Sequence, residues 1–248
     1  MQAWAVISGA ARRERAERAL DALERELVSE DPALVRLLAP PFDRTAHDPG
    51  YIRGYVPGIR ENGGQYTHAA VWVVRALAEL GRRSRAVDLL EKLGPVQHAR
   101  NRNAVDVYRV EPYVVAADVC SAPHHVGRGG WIWYTGSAGW MYRVALESVL
   151  GLTLEGGDTL RLAPRIPDDW PGYSIGFRPP DGRTRYEIEV RNPSGDARVV
   201  HSAMLDDAPI RVTGGVARLP LVRDGAVHRA RVTLVSPASD PPRRTGAR

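Results

Sequence analysis

The apolar positions of this chain follow two different periods, and the change comes near Gly156. From Ala11 to Val28, the residues Ala16, Ala19, Leu20, Leu23 and Leu27 recur at helical spacing, while Glu14 and Arg18, then Asp21 and Arg25, stand four apart for pairing. An amphipathic helix is predicted there. A second and far more apolar helix is predicted from Thr67 to Leu80, with Ala70, Val73, Leu77 and Leu80 in one stripe and Gly81 as its stop. Ser84 to Leu93 forms a third, ended by Gly94-Pro95, and Ser137 to Leu150 a fourth, with Met141, Ala145, Leu146 and Val149 inward. Beyond Gly156 the period falls to two. Tyr186, Ile188 and Val190 alternate with Glu187 and Glu189, and Ala230, Val232 and Leu234 with Arg229, Arg231 and Thr233, as in half-buried strands. Turn signals at Asn192-Pro193-Ser194-Gly195, Thr213-Gly214-Gly215 and Asp224-Gly225 are spaced for a small antiparallel β-sandwich.

The expected class is therefore mainly α, then β. A helical part is expected over residues 1–155, a β domain over 156–236, and a Ser/Pro/Asp/Arg-rich flexible tail over 237–248. The connection from Leu38 to Tyr66 is rich in Pro, Gly and Tyr, and connections of that length inside compact domains usually carry function.

Composition adds mainly exclusions. With 248 residues, 44% hydrophobic and 25% charged, the chain has the balance of a soluble globular protein. No apolar stretch approaches the roughly 20 residues that cross a bilayer, and no charged-then-apolar leader follows Met1, so a cytoplasmic protein without a membrane segment is expected. The net charge of +5 does not imply nucleic acid, because Lys92 is the only lysine and the arginines are dispersed instead of lying on one arm. The single cysteine, Cys120, excludes an internal disulfide and reads as a buried bystander within Val114 to Cys120. His124-His125 lacks a third ligand at suitable spacing, so no metal is expected.

Two phrases carry chemistry: Glu61-Asn62-Gly63-Gly64-Gln65-Tyr66-Thr67-His68, and the stretch from Gly127 to Trp140. Each gathers glycines, aromatics and hydrogen-bonding side chains and runs into an apolar helix. Aromatic rings offer apolar faces to pyranose rings, glycines let backbone amides approach a ligand, and a helix N-terminus favours an anion. That combination fits a sugar and phosphate site. Taken singly, the residues keep two readings. His68 is either a core histidine on a backbone carbonyl or an anion contact. Thr135-Gly136 is a simple N-cap, an oxyanion cradle, or both. Arg60 and Glu61 form either a solvated ion pair or a polar edge of the cleft. Glu111 accepts sugar hydroxyls or orients an arginine. Trp131, after two glycines, stacks on a sugar or packs, whereas Trp140 reads as core, and Asp118 as structural.

These phrases belong to an ordered series with Pro40-Pro41-Phe42-Asp43, Pro49-Gly50-Tyr51-Ile52-Arg53-Gly54-Tyr55, Val107-Tyr108-Arg109-Val110-Glu111-Pro112-Tyr113-Val114 and the block ending at Arg143. From about Gln2 to about Val190 the series resembles the C-terminal part of the glycoside hydrolase family 94 phosphorylases, formerly glycosyltransferase family 36. The nearest resemblance is to the phosphorylase-like module of cyclic β-1,2-glucan synthases. The resemblance implies the C-terminal part of an (α/α)6 barrel followed by a small β domain. It also implies inverting transfer of glucosyl between a β-glucan and phosphate, an aspartic acid protonating the leaving oxygen. It places His68, Thr135 and Gly136 on inorganic phosphate and Arg60 toward the acceptor sugar, and Glu61, Glu111 and Trp131 are expected, from the residues themselves, as further sugar contacts. No catalytic residue is assigned here, because the family's acid motif precedes the segment that begins at Gln2. The chain is thus expected to be a fragment, inactive without its N-terminal half and with part of the Val71 to Val74 face uncovered. Expected partners are a β-glucan or oligoglucoside, inorganic phosphate or glucose 1-phosphate, and the missing N-terminal part, with no cofactor and no nucleic acid. The alternative is a non-catalytic carbohydrate-binding or regulatory protein that keeps a half-cleft.

Overall fold

A computed structural model of the chain describes residues 2–133, 135–196 and 198–235, Thr135 by its backbone alone. It divides into two compact units, Met1–Val149 and Leu150–Arg248. The first unit begins with helices α1 (Gln2–Ile7) and α2 (Arg13–Leu27), the two-stranded ribbon of β1 (Val28–Glu30) and β2 (Ala33–Val35), and strand β3 (Gln65–Tyr66). There follow α3 (Thr67–Glu79), α4 (Arg83–Leu93), α5 (Arg102–Tyr108), β4 (Asp118–Val119), β5 (Gly129–Gly130) and α6 (Thr135–Arg143). The last helix runs on as a π turn over Val144–Val149.

α3 is apolar almost all round, and such a helix belongs in the middle of a core. Ala70, Val71, Val73, Val74, Ala76, Leu77 and Ala78 are each at most 4% exposed. Ala3 of α1, Leu20 and Leu23 of α2, Ala86, Leu89 and Leu93 of α4, and Val144 close around it. Val71 and Val74 are 0% exposed, which corrects the expectation that this face loses cover. The helices of this unit are enough to bury it. Burying one such Val or Leu side chain contributes about 1.5–3 kcal/mol. Arg82 and Arg85 strap α4 to α2 through Glu24, at 3.1 and 3.0 Å.

Strands β3, β4 and β5 form a small antiparallel sheet in which Tyr66 stands opposite Asp118 and Asp118 opposite Gly130. The ladder continues past the strands, with Thr67 N–H donating to Ala117 C=O at 2.9 Å and Ala117 N–H to Trp131 C=O at 3.1 Å. On the inward face, the Gln65 side-chain oxygen accepts Val35 N–H at 2.9 Å. A satellite core of Leu34, Tyr108, Ala116 and Val119 lies in the same unit.

The second unit holds β6 (Leu152–Glu155), β7 (Thr159–Leu162), β8 (Gly172–Phe177), β9 (Arg185–Arg191), β10 (Val199–Leu205), β11 (Ala208–Ile210), β12 (Val212–Thr213), β13 (Val216–Pro220) and β14 (Val227–Val235). One sheet has the order β11-β10-β14-β9-β8 and the other β12-β13-β7-β6. Alternation decides the buried face: Tyr186, Ile188 and Val190 are at most 1% exposed, and Ala230, Val232 and Leu234 at most 3%. Two expectations are corrected here. β9 and β14 pair in parallel, because β10 to β13 intervene between them in the chain and a crossover replaces a hairpin. The helical part ends at Val149, and Leu152–Glu155, expected within it, pairs with β7. Residues 236–248, which include the expected tail, lie outside the described residues.

Candidate functional site

His68 is the second residue of α3, so its position follows from where that helix starts. Its ring lies 4.9 Å from Trp72, 5.8 Å from Trp140 and 6.3 Å from Tyr66, centre to centre. Trp72 is four residues along the same helix and therefore on the same face. His68 Nε2 is buried without a hydrogen-bond partner. Burial pushes the imidazole pKa below its ordinary value, so the ring is neutral at pH 7. Gly136 is packed against it: a Cβ there would stand 3.7 Å from His68 Nδ1. Gly136 belongs to the first turn of α6, where backbone N–H groups have no intrahelical acceptor and the helix dipole favours an anion. Thr135 opens that helix, and its side chain lies outside the described residues. The structure thus brings His68 and Gly136 together. Trp140, expected in the core, packs partly buried against it and borders His68 as well.

A second group forms around Arg60. Its backbone is left-handed at φ +48°, a conformation that costs a non-glycine residue free energy. Its guanidinium lies 4.2 Å from the centre of the Trp131 ring and 5.5 Å from that of Tyr55, and its Nε is 3.4 Å from Glu61 Oε2. The pair is not solvated, since the two side chains are only 12% and 17% exposed. Burial opposes the Arg60 charge, but Glu61, Tyr55 and Asp118 outweigh it and hold its pKa above the ordinary value.

Asn62 fixes this loop. It is fully buried, accepts Phe42 N–H at 2.7 Å, and donates to Phe42 C=O at 3.0 Å and Tyr55 C=O at 2.8 Å. Gly64 is required for close approach, because a Cβ there would fall 2.8 Å from Arg60 N.

Asp118 lies in the middle strand of the sheet, opposite Tyr66 and Gly130. It is 4% exposed, and its Oδ1 has no hydrogen-bond partner. Burial raises its pKa, against the lowering by the Arg60 charge. A cavity of about 290 Å³ is lined by Asp118, Ile59, Cys120, His125, Arg128 and Trp131 among others. Sequence alone reads Asp118 as structural; the fold places it in the wall of the Trp131 cavity. Glu111 stands elsewhere, on a turn closed by Val114 N–H to its C=O at 3.0 Å. No hydrogen bond or ion pair joins its carboxylate to another described residue, so it does not orient an arginine there.

A larger concavity, about 580 Å³, lies on the second unit. Its lining carries no aromatic ring, and its arginines pair with its own glutamates, Arg185 with Glu187 at 3.4 Å and Arg229 with Glu187 at 3.3 Å. The two groups described above lie in the first unit instead. Among the described residues no three His, Cys, Asp or Glu side chains are placed to hold a metal ion.

The family model for the catalytic domain of the Glycosyl hydrolase 94 superfamily matches residues 1–151, which contain both groups. The chain belongs to the Glycosyl hydrolase 94 superfamily. It is 48% identical over 195 residues to the cyclic beta-(1,2)-glucan synthase NdvB of Rhizobium meliloti, covering 79% of this chain and 7% of that protein. It is 34% identical over 232 residues to the N,N'-diacetylchitobiose phosphorylase of Vibrio proteolyticus, covering 93% and 27%. With the solabiose phosphorylase of Paenibacillus borealis the figures are 33% over 234 residues, covering 94% and 29%. The chain therefore spans less than a third of the length of each of these Glycosyl hydrolase 94 relatives. No helix among the described residues is long and apolar enough to cross a membrane.

Proposed function

We propose that this chain forms the phosphate pocket and one wall of the sugar cleft of an inverting β-glucan phosphorylase, of the kind found in cyclic β-1,2-glucan synthases. In that reading α1 to α6 belong to the closing part of an (α/α)6 barrel, and the two sheets of the second unit make a β-sandwich. The observation that carries it is the pairing of His68, with its buried and unpartnered Nε2, with Gly136 in the first turn of α6. A neutral imidazole can donate one N–H to a phosphate oxygen, and the helix N-terminus supplies further donors. Arg60, Glu61 and Trp131 would face the acceptor sugar. Phosphate oxygen attacks the anomeric carbon from the side opposite the glycosidic oxygen. The carbon–oxygen bond breaks, and an aspartic acid protonates the departing oxygen, giving α-glucose 1-phosphate and a glucan one unit shorter. None of the carboxylates near the two groups stands in the family's acid motif, so that acid is assigned to the preceding part of the barrel. The reaction uses inorganic phosphate as co-substrate and no cofactor.

The test is calorimetric titration of the chain with inorganic phosphate and with glucose 1-phosphate. Loss of one hydrogen bond to a charged group costs about 1.5–3 kcal/mol, so His68→Ala and Thr135→Val should each weaken phosphate about tenfold or more while sparing glucan binding. Unchanged phosphate affinity in both variants refutes the pocket, and glucan binding without any phosphate binding favours the non-catalytic alternative. Incubation with β-1,2-glucooligosaccharides and phosphate should release no glucose 1-phosphate. Release that disappears in Asp118→Asn would place the acid within this chain.

A further inference from the structure

Two large aromatic rings outside the Arg60 group stand in solvent and touch each other. Tyr113 is 69% and Trp133 66% exposed, and their rings meet edge to face with centres 6.4 Å apart. They come from separate segments. Tyr113 sits on the turn that begins at Glu111, and Trp133 lies between β5 and α6. The backbone around Trp133 is held in an unfavourable shape: Trp131 and Trp133 both have positive φ, +51° and +65°. Bulky L-residues rarely adopt that conformation, and it persists where the surroundings impose it, most often at functional sites. One such constraint is visible in the bond from Ala117 N–H to Trp131 C=O at 3.1 Å.

We infer that Tyr113 and Trp133 form an additional saccharide subsite, which takes a glucosyl unit of a chain longer than a disaccharide. The inference rests on the reading that the Arg60–Trp131 group receives a β-glucan. Continuity supports it, because Trp133 is two residues from Trp131 and their Cα atoms are therefore within about 7 Å. The chemistry of the patch supports it too. Exposed rings with polar rims match the C–H faces and hydroxyls of a pyranose. The half-buried Glu111 carboxylate on the same turn is an acceptor for sugar hydroxyls. The occupant is thus a saccharide, and its length is what the subsite reads.

The experiment titrates the 248-residue chain with β-1,2-linked glucobiose, the corresponding pentaose, and inorganic phosphate. The pentaose should bind the unaltered chain about tenfold more tightly than the biose. In Trp133→Ala, and separately in Tyr113→Ala, that advantage should fall below about threefold, with biose and phosphate affinities unchanged. Both rings are exposed, so the variants should melt with the parent, and either one alone suffices should the other unfold. Equal affinity for biose and pentaose in the unaltered chain, or an advantage that survives both substitutions, overturns this subsite and leaves the phosphate pocket standing. Binding of neither saccharide nor phosphate overturns both.

Discussion

Asn62→Ala tests whether one buried amide holds the Arg60 loop. Three hydrogen bonds end on this side chain: Phe42 N–H into Oδ1 at 2.7 Å, and Nδ2 to Phe42 C=O at 3.0 Å and to Tyr55 C=O at 2.8 Å. Each is worth about 0.5–1.5 kcal/mol net, and a buried partner left unsatisfied costs about 1–3 kcal/mol. The three bonds converge on one side chain and do not add independently, so a loss of about 2–4 kcal/mol is expected instead of the full sum. Urea unfolding followed by tryptophan fluorescence suits the measurement, because all the tryptophans except Trp170 lie in the first unit. With a urea dependence of about 2 kcal/mol/M, the midpoint should fall by about 1–2 M. Asn62→Asp keeps one acceptor but sets a charge against two carbonyl oxygens, so it should be at least as damaging. A loss below about 1 kcal/mol in the alanine variant would refute the reasoning. The loop would then be held by backbone bonds alone, such as Gly58 N–H to Asn62 C=O at 2.7 Å and Ser121 N–H to Gly58 C=O at 2.8 Å.

Gly130→Ala should cost about 1–3 kcal/mol by overpacking, since its Cβ would stand 3.0 Å from Asp118 Oδ1. Asp118→Ala should relieve that strain, and a strictly additive double mutant in denaturant unfolding would remove the contact from the account. The buried histidines of the two units should respond to pH in opposite directions. Burial lowers the pKa of His68 and of His98, so the unfolded chain takes up protons first and the first unit loses stability as pH falls through about 6.5. His228 sits between Asp206 at 2.6 Å and Asp224 at 3.1 Å, and the Asp206 hydrogen bond raises its pKa. Its contribution is complete below about 6.5 and is lost as pH rises through the higher folded value. Scanning calorimetry between pH 5 and 8 should resolve both trends, and His228→Asn should abolish only the alkaline loss; an unchanged alkaline slope in that variant would exclude His228 as its source.

The helices α2, α3 and α4 and the strands β9 and β14 were legible because burial decides which of their positions must be apolar, and each is long enough to show a period. α1 and α5, with six and seven residues, are too short for that. α5 announces itself only through its cap, where Asn101 Oδ1 accepts Ala104 N–H at 2.9 Å. Alternation marks the buried face of a strand but not its direction, so it does not reveal the parallel pairing of β9 with β14. At the site, glycines and aromatics mark the right phrases, yet the partners do not follow from them. Glu61 reads as solvated by its type, and only the left-handed turn at Arg60 brings the pair under cover.

Asp118 shows most clearly where sequence reasoning stops. A lone aspartate in the run from Val114 to Cys120 has the signature of a structural residue, and its role depends on register alone. β3, β4 and β5 are two residues each, too short to reveal a period, yet their pairing sets Tyr66, Asp118 and Gly130 side by side on one face. Neighbouring strands are about 4.8 Å apart. That row therefore fixes how far His68, two residues beyond Tyr66, lies from Trp131, one residue beyond Gly130. A slip of one residue in β4 would turn the Asp118 carboxylate toward the satellite core around Leu34 and Tyr108 and set the side chain of Val119 or Ala117 on the face it now occupies. The cost of burying an unpaired carboxylate in apolar surroundings penalises that slip. Asp118 therefore favours the register in which its own carboxylate, and not an apolar side chain, lines the Trp131 cavity.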